Sequence, residues 1–182
     1  MLIHFLIILS KIPVNKNIVI SFIKDPQLHL VVYNNILRLK YIPPGTYKPS
    51  DPNVLKAVYI KDKYRLKFTD NSVYKSNSPV VKAESFDVRD TGFLFDIIET
   101  SLGFNIMTND GDCLSKGELI NPTEGNIVRA EGCDGSEDQV FLIKILENAY
   151  PGPDTQTTLG FKNKNLSDFA NKEVRSHKNL LN

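Results

Sequence analysis

Between Asp110 and Gln139 the chain concentrates groups suited to hydrogen bonding with hydroxyls. They are the carboxylates Asp110, Asp112, Asp134 and Asp138 and the amides Asn121, Asn126 and Gln139. An ionised carboxylate only accepts, whereas an amide both donates and accepts, so such a set is suited to holding a polyhydroxylated ligand. A plainer role stands beside this one. Asp110 and Asp134 each precede a glycine, the composition of a tight turn. Gln139 could simply tie a strand to a loop, because buried polar groups are paired. Cys113 and Cys133 are the only cysteines, which leaves two states open. They could form one intramolecular bridge, or pack as two small buried thiols.

Bond-making chemistry has little support. No nucleophile elbow, phosphate loop or metal-binding spacing occurs, and His4, His29 and His177 are scattered. Glu84, Asp87, Asp90 and Glu131 read as solvated charge on loops and strand edges. Catalytic residues, a metal and a cofactor are therefore not expected. The formal net charge is +1 over 182 residues, so no global field recruits nucleic acid or an anionic membrane. Hydrophobic residues make up 41% and charged residues 24%, the balance of one ordinary globular domain.

The elements that must carry these residues emerge as an internal repeat. Asn34–Ile42, Ser78–Phe86 and Gly125–Cys133 share one pattern, roughly 45 residues apart. Ile36, Val80 and Ile127 coincide, as do the basic Arg38, Lys82 and Arg129, and Ile42, Phe86 and Cys133 close the segments. Upstream of each lies a hairpin turning on Asp25-Pro26, Asp70-Asn71 or Asp110-Gly111. In this alignment Leu28 and Val73 match Cys113, which predicts that Cys113 and Cys133 both face the interior. Downstream come the apolar runs Val54–Ile60, Gly92–Ile98 and Gln139–Ile145. Four strands per unit in three units, spanning residues 18–61, 62–102 and 103–148, predict an all-β chain with pseudo-threefold symmetry. That is a β-trefoil, a six-stranded barrel capped by three hairpins.

The third unit resembles the repeat of the ricin-B-type lectins. Cys113-Leu114 matches the family's Cys-Leu strand, and Cys133 its second cysteine. Gln139-Val140-Phe141 matches its closing Gln-x-Trp, with Phe in place of Trp. The other units keep less of it, with Thr91-Gly92-Phe93 and Asn53-Val54-Leu55 at the closing position. The resemblance implies a Cys113–Cys133 disulfide, Phe141 in the core, and a non-enzymatic module binding a glycan or glycoprotein surface. The family's sugar-binding Asp falls on Ser115, its Asn-Gln on Asp138-Gln139, and no aromatic lies between Lys116 and Asn126. The ligand set is thus narrowed to substitutes, Asp110, Asp112, Asn126, Asp138 and Gln139, with Tyr33, Tyr41, Tyr47 and Tyr74 as rings elsewhere. A structural or protein-interaction trefoil without sugar binding is the rival reading. A protease-inhibitor trefoil is a further reading, with the loop Tyr41–Asn53 and its four prolines either as a stiff protruding element or as a simple insertion between strands.

The ends differ from this body. The apolar run Leu2–Leu9 is too short to span a membrane. It reads as a signal peptide over residues 1–10, cut before Lys11, or as a buried edge strand. Residues 149–182 read as a polar linker and tail, with one glycosylation sequon at Asn165. The Lys- and Asn-rich, Trp-free composition is similar to that of exported lectin-like proteins of microsporidian parasites. That likeness implies a secreted protein of the spore wall or polar tube.

Overall fold

The computed structural model describes residues 12, 14–146 and 158–159. The signal-peptide reading, the Asn165 sequon and most of the linker and tail lie outside the described residues. Strands dominate because the chain alternates apolar and polar residues between tight turns. The first unit holds β1 (Asn17–Phe22), β2 (Asp25–Tyr33), β3 (Ile36–Tyr41) and β4 (Val54–Ile60). The second holds β5 (Lys63–Lys67), β6 (Ser72–Tyr74), β7 (Lys82–Glu84) and β8 (Phe95–Glu99). The third holds β9 (Phe104–Thr108), β10 (Asp112–Asn121), β11 (Gly125–Gly132) and β12 (Phe141–Leu146). A two-residue strand, β13 (Thr158–Leu159), adds to β12 within the segment read as linker.

Six strands close into a ring in the order β1, β4, β5, β8, β9, β12 and back to β1, every neighbour antiparallel. The register repeats around the ring. Ile18 faces Leu55, Tyr64 faces Phe95 and Phe104 faces Phe141, one pair for each unit. Ile20, Leu66 and Ile106 form the next layer and are fully buried. The remaining strands make three hairpins, β2–β3, β6–β7 and β10–β11.

The hairpins join one another at the axis by a cyclic pairing. Ile36 lies opposite Lys82, Val80 opposite Arg129, and Ile127 opposite Arg38. Between these positions Leu37, Val81 and Val128 point into the barrel with no exposure. The backbone N–H of Leu37 donates to Val81 O, and that of Val81 to Val128 O, at 2.9 and 3.0 Å. The repeat read from Ile36, Val80, Ile127 and their basic partners is therefore a three-dimensional equivalence. This is a β-trefoil.

Three local readings need correction. The first hairpin turns at Ile23-Lys24, because Asp25 and Pro26 already belong to β2 and a bulge at Ser21/Phe22 shifts the register. The closing motif of the second unit is Phe93-Leu94-Phe95, two residues beyond Thr91-Gly92-Phe93. The evidence is one shared turn: Val54 N donates to Asp51 O, Leu94 N to Thr91 O and Val140 N to Glu137 O. Leu55, Phe95 and Phe141 thus enter the core together. Cross-strand pairs also place Cys113 level with Ser72 and His29, not Val73 and Leu28, since their partners are Glu131, Glu84 and Lys40.

Phe141 is fully buried, beside Phe104 and edge-on to Phe22 at 6.4 Å between centroids. Replacing it with Ala should cost roughly 3–5 kcal/mol, the range for buried aromatics, measured by urea denaturation. A loss below about 1 kcal/mol would mean that the barrel repacks around the gap.

Candidate functional site

The residues proposed from sequence sit in three places. Asp110 is exposed on the β9–β10 turn, and Asp112 opens β10, where its N–H donates to Thr108 Oγ1 at 3.1 Å. Asn126 lies towards the opposite end of the β10–β11 hairpin, 7% exposed, its Nδ2 donating to Gly117 O at 3.0 Å. Asp138 is exposed and accepts a bond from Lys24 Nζ at 3.2 Å. Gln139 is 2% exposed. Its Oε1 accepts from Asp134 N at 3.0 Å and its Nε2 donates to Gly132 O at 2.9 Å. Both amides are therefore engaged by backbone. The bond of Asp134 to Ser136 N holds its carboxyl below the usual range, which marks a turn-forming group.

Cys113 and Cys133 are bonded, with Cα atoms 5.0 Å apart. Only Cys113 is buried. Cys133 follows β11 at the start of a loop and is exposed, contrary to the expectation that both face inward. The bridge fastens that loop to the hairpin, next to the turn that Gln139 ties.

The first unit performs the same fastening with His29 and Asn53, the partners of Cys113 and Gln139 by position. Asn53 Nδ2 lies 2.9 Å from His29 Nδ1, and His29 Nε2 lies 3.1 Å from Pro26 O. A carbonyl only accepts, so Nε2 carries the proton and Nδ1 accepts from Asn53. The neutral imidazole satisfies both contacts. Burial, helped by the nearby Lys144 charge, lowers the His29 pKa from 6.5, opposed by the Pro26 bond and by Asp25. The second unit uses rings, with Phe93 packed on Tyr74 at 4.6 Å and on Phe86 at 5.4 Å.

Two of the seams between units also differ. Between the third and first, Lys24 on the β1–β2 turn bridges to Asp138 at 3.2 Å and Glu137 at 3.8 Å. Between the second and third the equivalent place is open, a cleft of about 270 Å³. One wall carries Tyr74, Asn77 and Asp90, the other Thr108, Asn109 and Asp110. The neighbouring Asp90 carboxylate raises the Tyr74 pKa, and Asp90 Oδ1 itself accepts from Gly92 N at 2.8 Å. Gly92 lines the cleft, and its backbone packs so closely that a Cβ there would collide with Lys75 O and approach the Tyr74 ring to 2.6 Å. Ring, carboxylates and amides thus converge across two units. Asp110 and Tyr74 were legible as separate candidates, whereas Asn77, Asp90, Thr108 and Asn109 were missed as ligand-binding residues. No local motif joins them, since half belong to each neighbour.

No family model matches this chain, and no curated protein matches it. Solved structures do. The agglutinin of Rhizoctonia solani superposes with a TM-score of 0.58 at 16% identity, covering 76% of this chain and 98% of that one. The C-terminal domain of an earthworm lectin, a mutant solved with 6'-sialyllactose, gives 0.54 at 13% identity over 72% and 99%. A mosquitocidal holotoxin gives 0.59 at 14% identity over 72% of this chain, which spans 16% of the toxin's length. It is a likeness of fold.

Two outcomes follow from the fastenings. Reducing the disulfide, which closes a loop of sequence separation 20, should lower stability by roughly 2–4 kcal/mol, with intact mass before and after reduction confirming the bridge. For His29 the folded pKa lies below the unfolded value of 6.5, so the unfolded state takes up a proton first as pH falls. Its contribution should be complete above pH 6.5 and shrink below it, until the folded ring also protonates. Urea midpoints at about pH 7.5 and about pH 5 should show the loss, and His29→Gln should flatten it.

Proposed function

We propose that the protein is an exported, non-catalytic module that binds a glycan in the cleft between its second and third units. The observation that carries this reading is the convergence of Tyr74, Asp90 and Asp110 with the amides Asn77 and Asn109 in one open, polar recess. Carboxylates accept from sugar hydroxyls, amides bond in both directions, and a ring offers the apolar sugar face a surface. With two carboxylates on its walls, the cleft suits a neutral sugar better than an anionic one. Lectins with this fold, among them the agglutinin and the earthworm lectin, support carbohydrate binding as the general class. The Cys113–Cys133 bond supports export, because disulfides persist mainly in oxidising compartments. A spore-wall or polar-tube setting belongs to the same proposal, drawn from the family resemblance together with the Lys- and Asn-rich composition.

A second reading keeps the fold and drops the sugar. It is favoured by the third unit, where Asn126 and Gln139 are turned to backbone. That reading makes the protein a structural or protein-interaction trefoil.

A glycan array including chitin fragments separates the two. Saturable binding to neutral oligosaccharides is expected, weakened about tenfold by Asp110→Asn, the size of one bond to a charged group. Uniform silence at high protein density would leave the interaction module. Binding untouched by both Asp110→Asn and Asn77→Ala would remove the site from this cleft.

A further inference from the structure

The face of the hairpin cap that points away from the barrel carries a second polar feature, remote in composition from the cleft. Along β3 and β11 the residues flanking Leu37 and Val128 point outward, and Val80 and Lys82 flank Val81 in the same way. Ile36, Val80 and Ile127 therefore alternate around the axis with Arg38, Lys82 and Arg129. Lys82 stands opposite Ile36, and Arg38 is the next outward residue along β3, so the two cations are diagonal neighbours within reach of each other's long side chains.

Arg38 is the unusual member. It is 5% exposed, and its Nε and Nη1 are buried without a hydrogen-bond partner. Its one hydrogen bond is from Nη2 to Glu124 Oε2 at 3.4 Å, near the limit of such a bond, and its charge also acts on the Glu118 carboxylate. Glu124 is held elsewhere, by Asn121 Nδ2 on its other oxygen at 2.9 Å. Arg129 is already satisfied, since Glu118 accepts from its Nε and Nη2 at 2.9 and 2.6 Å. That pairing draws the Glu118 carboxyl down to about 2. Leaving buried guanidinium nitrogens unpaired is costly, and both bidentate edges of Arg38 contain one open nitrogen beside the loosely held Nη2.

We propose that this cap binds a sulfate- or phosphate-type oxyanion, which takes a bidentate edge of Arg38 in place of the long Glu124 contact and a further bond from Lys82. The planar guanidinium matches two oxygens of such an ion, and the ammonium supplies a point charge to a third. The Arg38 nitrogens are themselves buried, so the ion reaches them by displacing Glu124, whose side chain is 31% exposed. The proposal stands apart from the cleft, so failure of either leaves the other intact.

The test follows the Arg38 Nε–Hε resonance of the full chain by NMR while sodium sulfate replaces sodium chloride at constant ionic strength. A saturable shift is expected. Lys82→Gln should weaken binding about tenfold, the scale of one charge-assisted hydrogen bond. Glu124→Gln should tighten it, because it removes the competing charge while keeping an oxygen for Asn121. A purely structural Arg38–Glu124 pair predicts the reverse: a destabilised Glu124→Gln protein with no gain in sulfate affinity. A linear shift without saturation, or one equal in all three proteins, overturns the proposal. Inorganic phosphate and a sulfated heparin disaccharide form the remaining arms. Tighter binding of the disaccharide than of sulfate assigns the ion to a sulfated saccharide, and equal binding assigns it to the free ion.

Discussion

In each unit one junction governs the rest. Where a hairpin ends, the chain must pass through a loop that finishes on one tight turn and deliver an apolar side chain to the barrel. Leu55, Phe95 and Phe141 are those side chains, and their burial depends on the turn being held against its own hairpin. The backbone solves the geometry identically three times, through the bonds of Val54, Leu94 and Val140 to the residues three positions before them. The side chains solve the fastening differently each time. One unit uses a covalent bridge and a buried amide, another a histidine–asparagine pair, the third a cluster of rings. What is preserved is a mechanical requirement, and several chemistries meet it.

That division explains where asymmetry is tolerated. The barrel layers and the cyclic cap pairing require matching volume and register, so Ile20, Leu66 and Ile106, or Leu37, Val81 and Val128, remain uniformly aliphatic. The seams between units carry no such demand. One is clamped by Lys24 against Glu137 and Asp138, whereas the next is left open above Gly92. The seams of this protein thus differ in a way its barrel layers do not, and anything seated in the open one would touch two units at once.

The fold was legible because its signal is periodic. The outward Ile36, Val80 and Ile127 and the cations two positions on repeat with the cap's own symmetry, so their alignment needs no cysteine in the first two units. Positions within strands were less secure. Cys113 aligned with Val73 and Leu28 looked reasonable by hydrophobicity, but a one-residue slip reverses the face of a strand, and the true partners are Ser72 and His29. Gln139 was readable as a tie, since its amide had a turn to serve. The cleft was not readable, because it is assembled from segments of two units that share no local pattern.

The barrel is closed by the pairing of its first strand with its last, Ile18 against Ile145 and Phe22 against Phe141. The cap likewise needs β3 against β11. No subset of the chain can therefore complete either layer, and during synthesis the apolar interior stays unassembled until almost the whole trefoil has emerged. Such a topology folds late and as one event, since long-range pairings are reached only after large loops close.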